Sequence, residues 1–379
     1  MAAKKKLYVS RIKKILLKKG YKIYKGQTKS IHKDLKSFYY TTIAGIFLVS
    51  FFSLTPKALL FTSKIFSDPV IVENTSKMDF EKILNGKKEL NLKSEEKEKI
   101  SFEDMYSDIE KDFDDFPSDI VRFSAPTLNQ LFKDTKYSLK EVRKTKLVNP
   151  GNSINLLPKE IKQIENTKKR KEFFIRIVLP LILEENYLIR LDRKKLFVIL
   201  NKNNNTESEQ KWLKSKFKKY GVVNRDFTTL KMRMDEIPVS LAIAQAAKET
   251  GWGTSRFALE GNALFGQWTW SGEGIKPASA DSDSKHKVMK FKVLQASVRA
   301  YQRNLNTHSS YRKFREARAI QRDNDGKLNS LELVKYLDKY AETGKEYTVV
   351  LKKIIKQNSL TDFDGVKLLP SSEKLKKLI

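Results

Sequence analysis

The chain has 379 residues, 40% of them hydrophobic and 32% charged, so it is long enough for more than one domain and apolar enough for a true core. It has no cysteine, which excludes disulfides and thiolate chemistry, and its three histidines (His32, His286, His308) are too scattered for a His-based metal site. The net charge of +30 first suggests nucleic acid, but no nucleic-acid-binding motif accompanies it.

Residues 1–37 concentrate the charge: thirteen Lys and Arg stand against one acid, Asp34. Beyond them Lys is spread without a basic stripe. Anionic lipid near the N-terminus and an anionic polymer elsewhere are the partners this pattern fits; a general Lys bias in the source is the plainer explanation. The run Phe38–Leu54 then has seventeen residues without a charge, and after Lys57 the apolar Ala58–Thr62 follows. A spanning helix needs about 20 apolar residues, with a lower limit near 17. Lys57 can snorkel and Tyr39 and Tyr40 suit an interface. The segment 38–62 is therefore expected to span a membrane once, with the basic segment 1–37 on the cytoplasmic side. A cleaved signal peptide is the rival, but the basic leader is long for one and no small-x-small site follows cleanly.

Residues 63–118 are dominated by Lys, Glu, Asp, Ser and Asn, as in Lys93–Lys99, and cannot bury enough apolar surface to offset the entropy of ordering. Residues 119–160 are ambiguous, and the whole of 63–160 is grouped as a largely disordered tether. From Ile161 the pattern becomes helical. Lys171–Asn186 has a wide apolar face with Pro180 inside it, and Leu191–Leu200 and Glu209–Tyr220 read as further helices. These define a small helical accessory unit at 161–232, ahead of a domain at 233–379.

Pro238–Thr250 reads as a helix that is apolar almost all round and hence central. Gln245 and Glu249 are its polar exceptions and share a face. Gly251-Trp252-Gly253 ends it. A carboxyl at the negative end of a buried helix, beside Trp252, is disfavoured as an anion, which raises its pKa. A general acid for glycosidic cleavage needs such a carboxyl; an ordinary Glu at a helix end is the alternative. Trp252, Phe265, Trp268 and Trp270 lie within nineteen positions and include three of the four tryptophans. Flat rings can stack on the C–H faces of sugars, or simply form an aromatic core. Trp268 and Trp270 alternate, which sends one inward and the other toward a cleft.

Ala244–Ala258, with Gly261–Trp268, Ser297–His308 and Tyr340–Tyr347, resembles the bacterial glucosaminidase domain of glycoside hydrolase family 73, the mannosyl-glycoprotein endo-beta-N-acetylglucosaminidase-like group. Arg170–Phe174, Glu185-Asn186 and Arg193 place it closest to the Bax-type proteins. The resemblance covers roughly residues 165–357. It implies a lysozyme-like, mostly helical α+β fold and hydrolysis of the β-1,4 bond between N-acetylglucosamine and N-acetylmuramic acid. Glu249 falls on the family's catalytic Glu, Tyr347 on a cleft Tyr, and Asn262 and Phe265 on its Asn-x-x-Phe-Gly element. Gln245, Trp252, Asn262, Phe265, Trp268 and Trp270 are all expected to contact substrate. A second acid is expected in a β-lobe after Phe265-Gly266, yet Lys287 stands where relatives tend to carry one. Glu273 is the nearest candidate, with Asp281 and Asp283 nearby.

The reading implies a bacterial inner-membrane protein with a periplasmic catalytic domain. Its partners are peptidoglycan glycan strands and the inner membrane, with no nucleic acid, metal or cofactor. A lytic transglycosylase or muramidase and a non-catalytic wall-binding module are the alternatives. The stripe Leu294, Val298, Tyr301, Leu305 reads as core and His308 as structural. Gln321–Glu332 partly follows a calcium-loop spacing but lacks a first carboxylate, so a plain helix–turn–helix connection is expected. Ser359–Ile379 reads as a loose tail.

Overall fold

A computed structural model describes residues 108–109, 111–113, 120–149, 151, 153–269, 274–276 and 287–369. The basic segment 1–37, the apolar segment 38–62 and most of the tether lie outside these residues. No helix among the described residues is long and apolar enough to cross a membrane. The described part is mostly helical, with two small sheets.

Ser124 and Ser138 cap two short helices, α1 (Ala125–Asp134) and α2 (Leu139–Thr145), by accepting from Thr127 N and Glu141 N. Strand β1 (Leu147–Val148) follows. Helix α3 (Thr167–Leu200) is capped by Asn166 and runs unbroken through Pro180. Lys171–Asn186 and Leu191–Leu200 are thus one helix, because Tyr187–Arg190 contains no residue that breaks the ladder. Ile177–Leu183 is buried on every side, so α3 forms the centre of the core. Helices α4 (Glu207–Lys219) and α5 (Phe227–Arg233) fold onto its end around Leu196, Ile199, Leu213 and Phe217.

Helix α6 (Val239–Thr250) is the second buried helix and packs on α3. A short helix α7 (Arg256–Gly261) leads to a three-stranded antiparallel sheet ordered β2 (Trp268–Thr269), β4 (Lys287–Met289), β3 (Gly274–Ile275). Gly274 is required there: a Cβ would stand 2.6 Å from Lys287 Cβ and 2.8 Å from the Val288 carbonyl. Helix α8 (Leu294–Thr307) carries the stripe Leu294, Val298, Tyr301, Leu305 into the core. Helix α9 (Arg312–Asp325), Gly326 in the left-handed region and helix α10 (Ser330–Leu333, capped by Asn329) make the expected helix–turn–helix connection. Helix α11 (Lys345–Gln357) is the last α-helix among the described residues, and β5 (Lys367–Leu368) pairs in parallel with β1.

Three boundaries differ from the sequence reading. Residues 120–160, grouped there with the tether, place Leu128, Phe132, Tyr137, Val142 and Leu157 in the same core as α3 and α6. Their apolar residues are too sparse for a clear period but complete when α3 supplies the opposing face. The accessory unit and the C-terminal domain likewise share that core, which spans Phe173 to Leu183 and Ile237 to Val366. Residues 359–369 are no loose tail: Leu360, Phe363 and Val366 are buried, and Asp364 accepts from Ser240 N at 2.9 Å and Ser240 Oγ at 2.7 Å. Asp364 thereby satisfies the start of α6, which Pro238 leaves without a side-chain cap.

Candidate active site

The burial of α6 fixes its last turn. Val239–Ala247 and Thr250 are buried, and the helix stops through three successive left-handed residues, Gly251 (φ 57°), Trp252 (φ 62°) and Gly253 (φ 83°). At Gly253 no side chain fits, since a Cβ would lie 2.8 Å from the Phe174 ring. Glu249 sits on this last turn, partly buried. Its Oε1 accepts from the Tyr347 hydroxyl at 2.8 Å, delivered by the first turn of α11. The Tyr347 oxygen in turn accepts from Gln245 Nε2 at 3.1 Å, and Gln245 Oε1 accepts from the Tyr301 hydroxyl at 2.7 Å. Four side chains from α6, α8 and α11 therefore form one hydrogen-bonded chain ending on a carboxylate.

Aromatic rings hold this chain in place. Tyr301 stacks on Phe265 with centroids 3.8 Å apart and 7° between planes, and Tyr340 stacks on Tyr347 at 5.5 Å and 9°. Tyr340 donates to the Phe265 carbonyl at 2.9 Å and so ties the two stacks together. Gly266 comes next in sequence, at φ 61°, and a Cβ there would approach Glu249 Oε2 to 3.1 Å. Glycine is needed for both the conformation and the space beside the carboxyl.

Burial raises the Glu249 carboxyl above its ordinary range, opposed by the Tyr347 hydrogen bond and the Lys248 charge. Burial also lifts the phenols: Tyr311 is pushed up to about 12, and Tyr301, Tyr340 and Tyr347 stand well above their usual value. All four remain neutral proton donors at physiological pH. A partly exposed carboxyl that resists ionisation, oriented by neutral donors, is equipped to give a proton to a departing oxygen. The Tyr347 hydroxyl and the Lys248 charge both act on Glu249.

The structure brings Glu249, Tyr347, Gln245 and Phe265 into one cluster. Gln245 and Phe265 are buried, so their side chains support Glu249 and Tyr347 from behind rather than line an open surface. Asn262 is the left-handed cap of α7, and its buried amide donates to the carbonyls of Phe291 and Lys292, pinning the approach to α8. Trp252 meets Phe174 edge-on at 6.0 Å and lies under Lys171 at 4.9 Å. Trp268 is 39% exposed on β2, two residues after Gly266. Trp270 and Glu273, with Asp281 and Asp283, lie outside the described residues. Sequence reasoning gave Tyr301 no functional role and Gly266 none beyond its place in the motif. A phenol on an otherwise apolar stripe was the available signal, because a buried hydroxyl needs a partner.

The family model described as mannosyl-glycoprotein endo-beta-N-acetylglucosaminidase matches residues 226–360. The chain is 31% identical over 206 residues to Protein bax of Escherichia coli (strain K12), covering 52% of this chain and 73% of that protein. Among solved structures, the catalytic domain of the autolysin Auto from Listeria monocytogenes matches at 23% identity and a TM-score of 0.27, covering 46% of this chain and 97% of that one.

Proposed function

Because the chain belongs to the Bax-type glucosaminidases and is a glycoside hydrolase, we propose that it cleaves the β-1,4 bond between N-acetylglucosamine and N-acetylmuramic acid in peptidoglycan, with Glu249 as the general acid. The observation that carries this reading is the partly buried carboxyl with a raised pKa, held by Tyr347 at 2.8 Å. Glu249 gives its proton to the glycosidic oxygen as the bond from that oxygen to the anomeric carbon breaks. Tyr347 steadies the carboxylate left behind. The exposed face of Trp268 offers a platform for a sugar ring.

A protein carboxylate for the second half of the reaction is not required. The 2-acetamido oxygen of the substrate can attack the anomeric carbon as the leaving oxygen departs. Water then opens the resulting ring and returns a proton to Glu249. Glu273 is the candidate if a second acid acts instead. The lysozyme-like architecture, the membrane anchor at residues 38–62 and the periplasmic placement belong to the same proposal. The anchor rests on the uncharged run Phe38–Leu54 and its basic flank.

Mass spectrometry of the sugar ends released from purified peptidoglycan tests the bond. N-acetylglucosamine at the new reducing ends supports the proposal. Reducing muramic ends identify a muramidase, and anhydro-muramic ends a lytic transglycosylase.

A further inference from the structure

We propose that Tyr301 and Gln245 are positioning residues that fix the direction of the hydrogen bond at Glu249 and so assign its transferable proton to Oε2, the oxygen beside Gly266. The inference rests on the reading of Glu249 as the acid. It begins at Tyr301, whose ring is locked by its stack on Phe265 and whose hydroxyl donates to Gln245 Oε1 at 2.7 Å. Gln245 is fully buried, so no water completes its amide from outside. With Oε1 engaged by Tyr301, Nε2 faces Tyr347 at 3.1 Å.

An amide nitrogen only donates. The Tyr347 oxygen therefore accepts from Gln245, and its own proton goes to Glu249 Oε1 at 2.8 Å. A carboxyl that accepts at Oε1 carries its proton on Oε2. That oxygen lies against the bare α-carbon of Gly266, where a Cβ would stand 3.1 Å away. With the amide reversed, Oε1 would take the proton of Tyr347, and the Tyr301 hydroxyl would lose the acceptor it now has. Leaving a buried donor unmatched is unfavourable, so Tyr301 sets the sense of the whole chain.

Removing the Tyr301 oxygen frees the amide to reverse. Tyr347 then donates to Gln245, and protonated Glu249 donates to the Tyr347 oxygen. This arrangement stabilises the acid form while aiming its proton away from the glycosidic oxygen. The groups facing Glu249 are Tyr347 from α11, Tyr301 from α8, Tyr311 from the turn Ser309–Tyr311, Tyr340 from the loop before α11, and Lys248 on α6 itself. The tyrosines titrate far above the working range and do not confuse the profile.

The test is the pH dependence of peptidoglycan cleavage by the full chain and its Tyr301→Phe variant, which loses one oxygen and keeps the stack. The alkaline limb of kcat/KM is expected to move up by about one pH unit, with kcat reduced roughly tenfold. Adding Gln245→Met removes the competing amide and is expected to bring the limb back toward its original position. Tyr137→Phe, a buried tyrosine that donates to the Arg176 carbonyl outside this cluster, is expected to leave the limb in place. An unmoved or lowered limb in Tyr301→Phe overturns the inference, as does an equal shift in Tyr137→Phe or no return in the double variant. Full activity of Glu249→Gln would instead remove the reading beneath it, whatever the limbs do.

Discussion

Glu249 is placed where its charge is unwelcome, and that has two consequences. Since the carboxyl is raised by burial, catalysis that needs the acid form persists below the raised value and declines as pH climbs through it. Stability follows the same sign: between the unfolded and folded pKa values the native state holds the extra proton, so stability falls as pH rises across that window. At neutral pH the ionised group is a liability. Glu249→Gln keeps an acceptor for Tyr347 and removes the charge, and calorimetry at neutral pH should show a melting temperature equal to or a few degrees above the parent. A clear drop would mean the carboxylate is a structural support. At Gly266, Ala is expected to reduce cleavage at least tenfold, because it forces a Cβ into a left-handed residue and toward Glu249 Oε2. Retained kinetics there would show that the carboxyl can move aside. At this scale the sequence was informative about Glu249, Tyr347, Gln245 and Phe265, because a polar pair on an apolar helix and a matched motif stand out locally. The part played by Tyr301 was hidden, since the partner that satisfies its hydroxyl lies 56 positions away in the chain.

Among elements, α6 matters most, because it carries Gln245 and Glu249 and its start is governed by a distant segment. Its start depends on Asp364, whose carboxyl accepts from Ser240 N and Ser240 Oγ. Asp364→Ala is expected to destabilise the protein by about 1 kcal/mol, read by urea unfolding, as for other lost caps. No change in midpoint would show that solvent replaces the cap. Its end depends on the left-handed run Gly251 to Gly253. The glycines made that stop legible in the sequence. The cap by Asp364 was not legible, because it joins positions 124 residues apart and Asp364 lies in a segment read as a loose tail. Helix α3 shows the same limit in reverse. The sequence reading separated Lys171–Asn186 from Leu191–Leu200, but one helix runs through both, with Ile177–Leu183 buried.

At the level of the molecule, the cluster around Glu249 shares its core with segments flanking the recognisable motif. The parallel pairing of Leu147–Val148 with Lys367–Leu368, and the burial of Leu128, Phe132 and Leu157 in the core of α3, complete that core from both sides of the motif in sequence. A fragment starting at residue 166 exposes that side of α3 and is expected to aggregate or melt well below one starting at residue 108, as judged by circular dichroism and light scattering. Equal melting would show that residues 120–163 are dispensable. Their weak sequence signal has a physical origin: short helices gain their stability from the surface that receives them, and that surface belongs to another part of the chain.

The measurement that bears most directly on the account is the rate of reducing-end release from purified peptidoglycan by the intact chain and by Glu249→Gln, together with co-sedimentation of each with the wall. The account predicts a fall in rate of roughly a hundredfold or more, the range for a lost general acid, with binding preserved. A variant that cleaves at a rate close to the parent's would contradict the assignment of Glu249 as the proton donor.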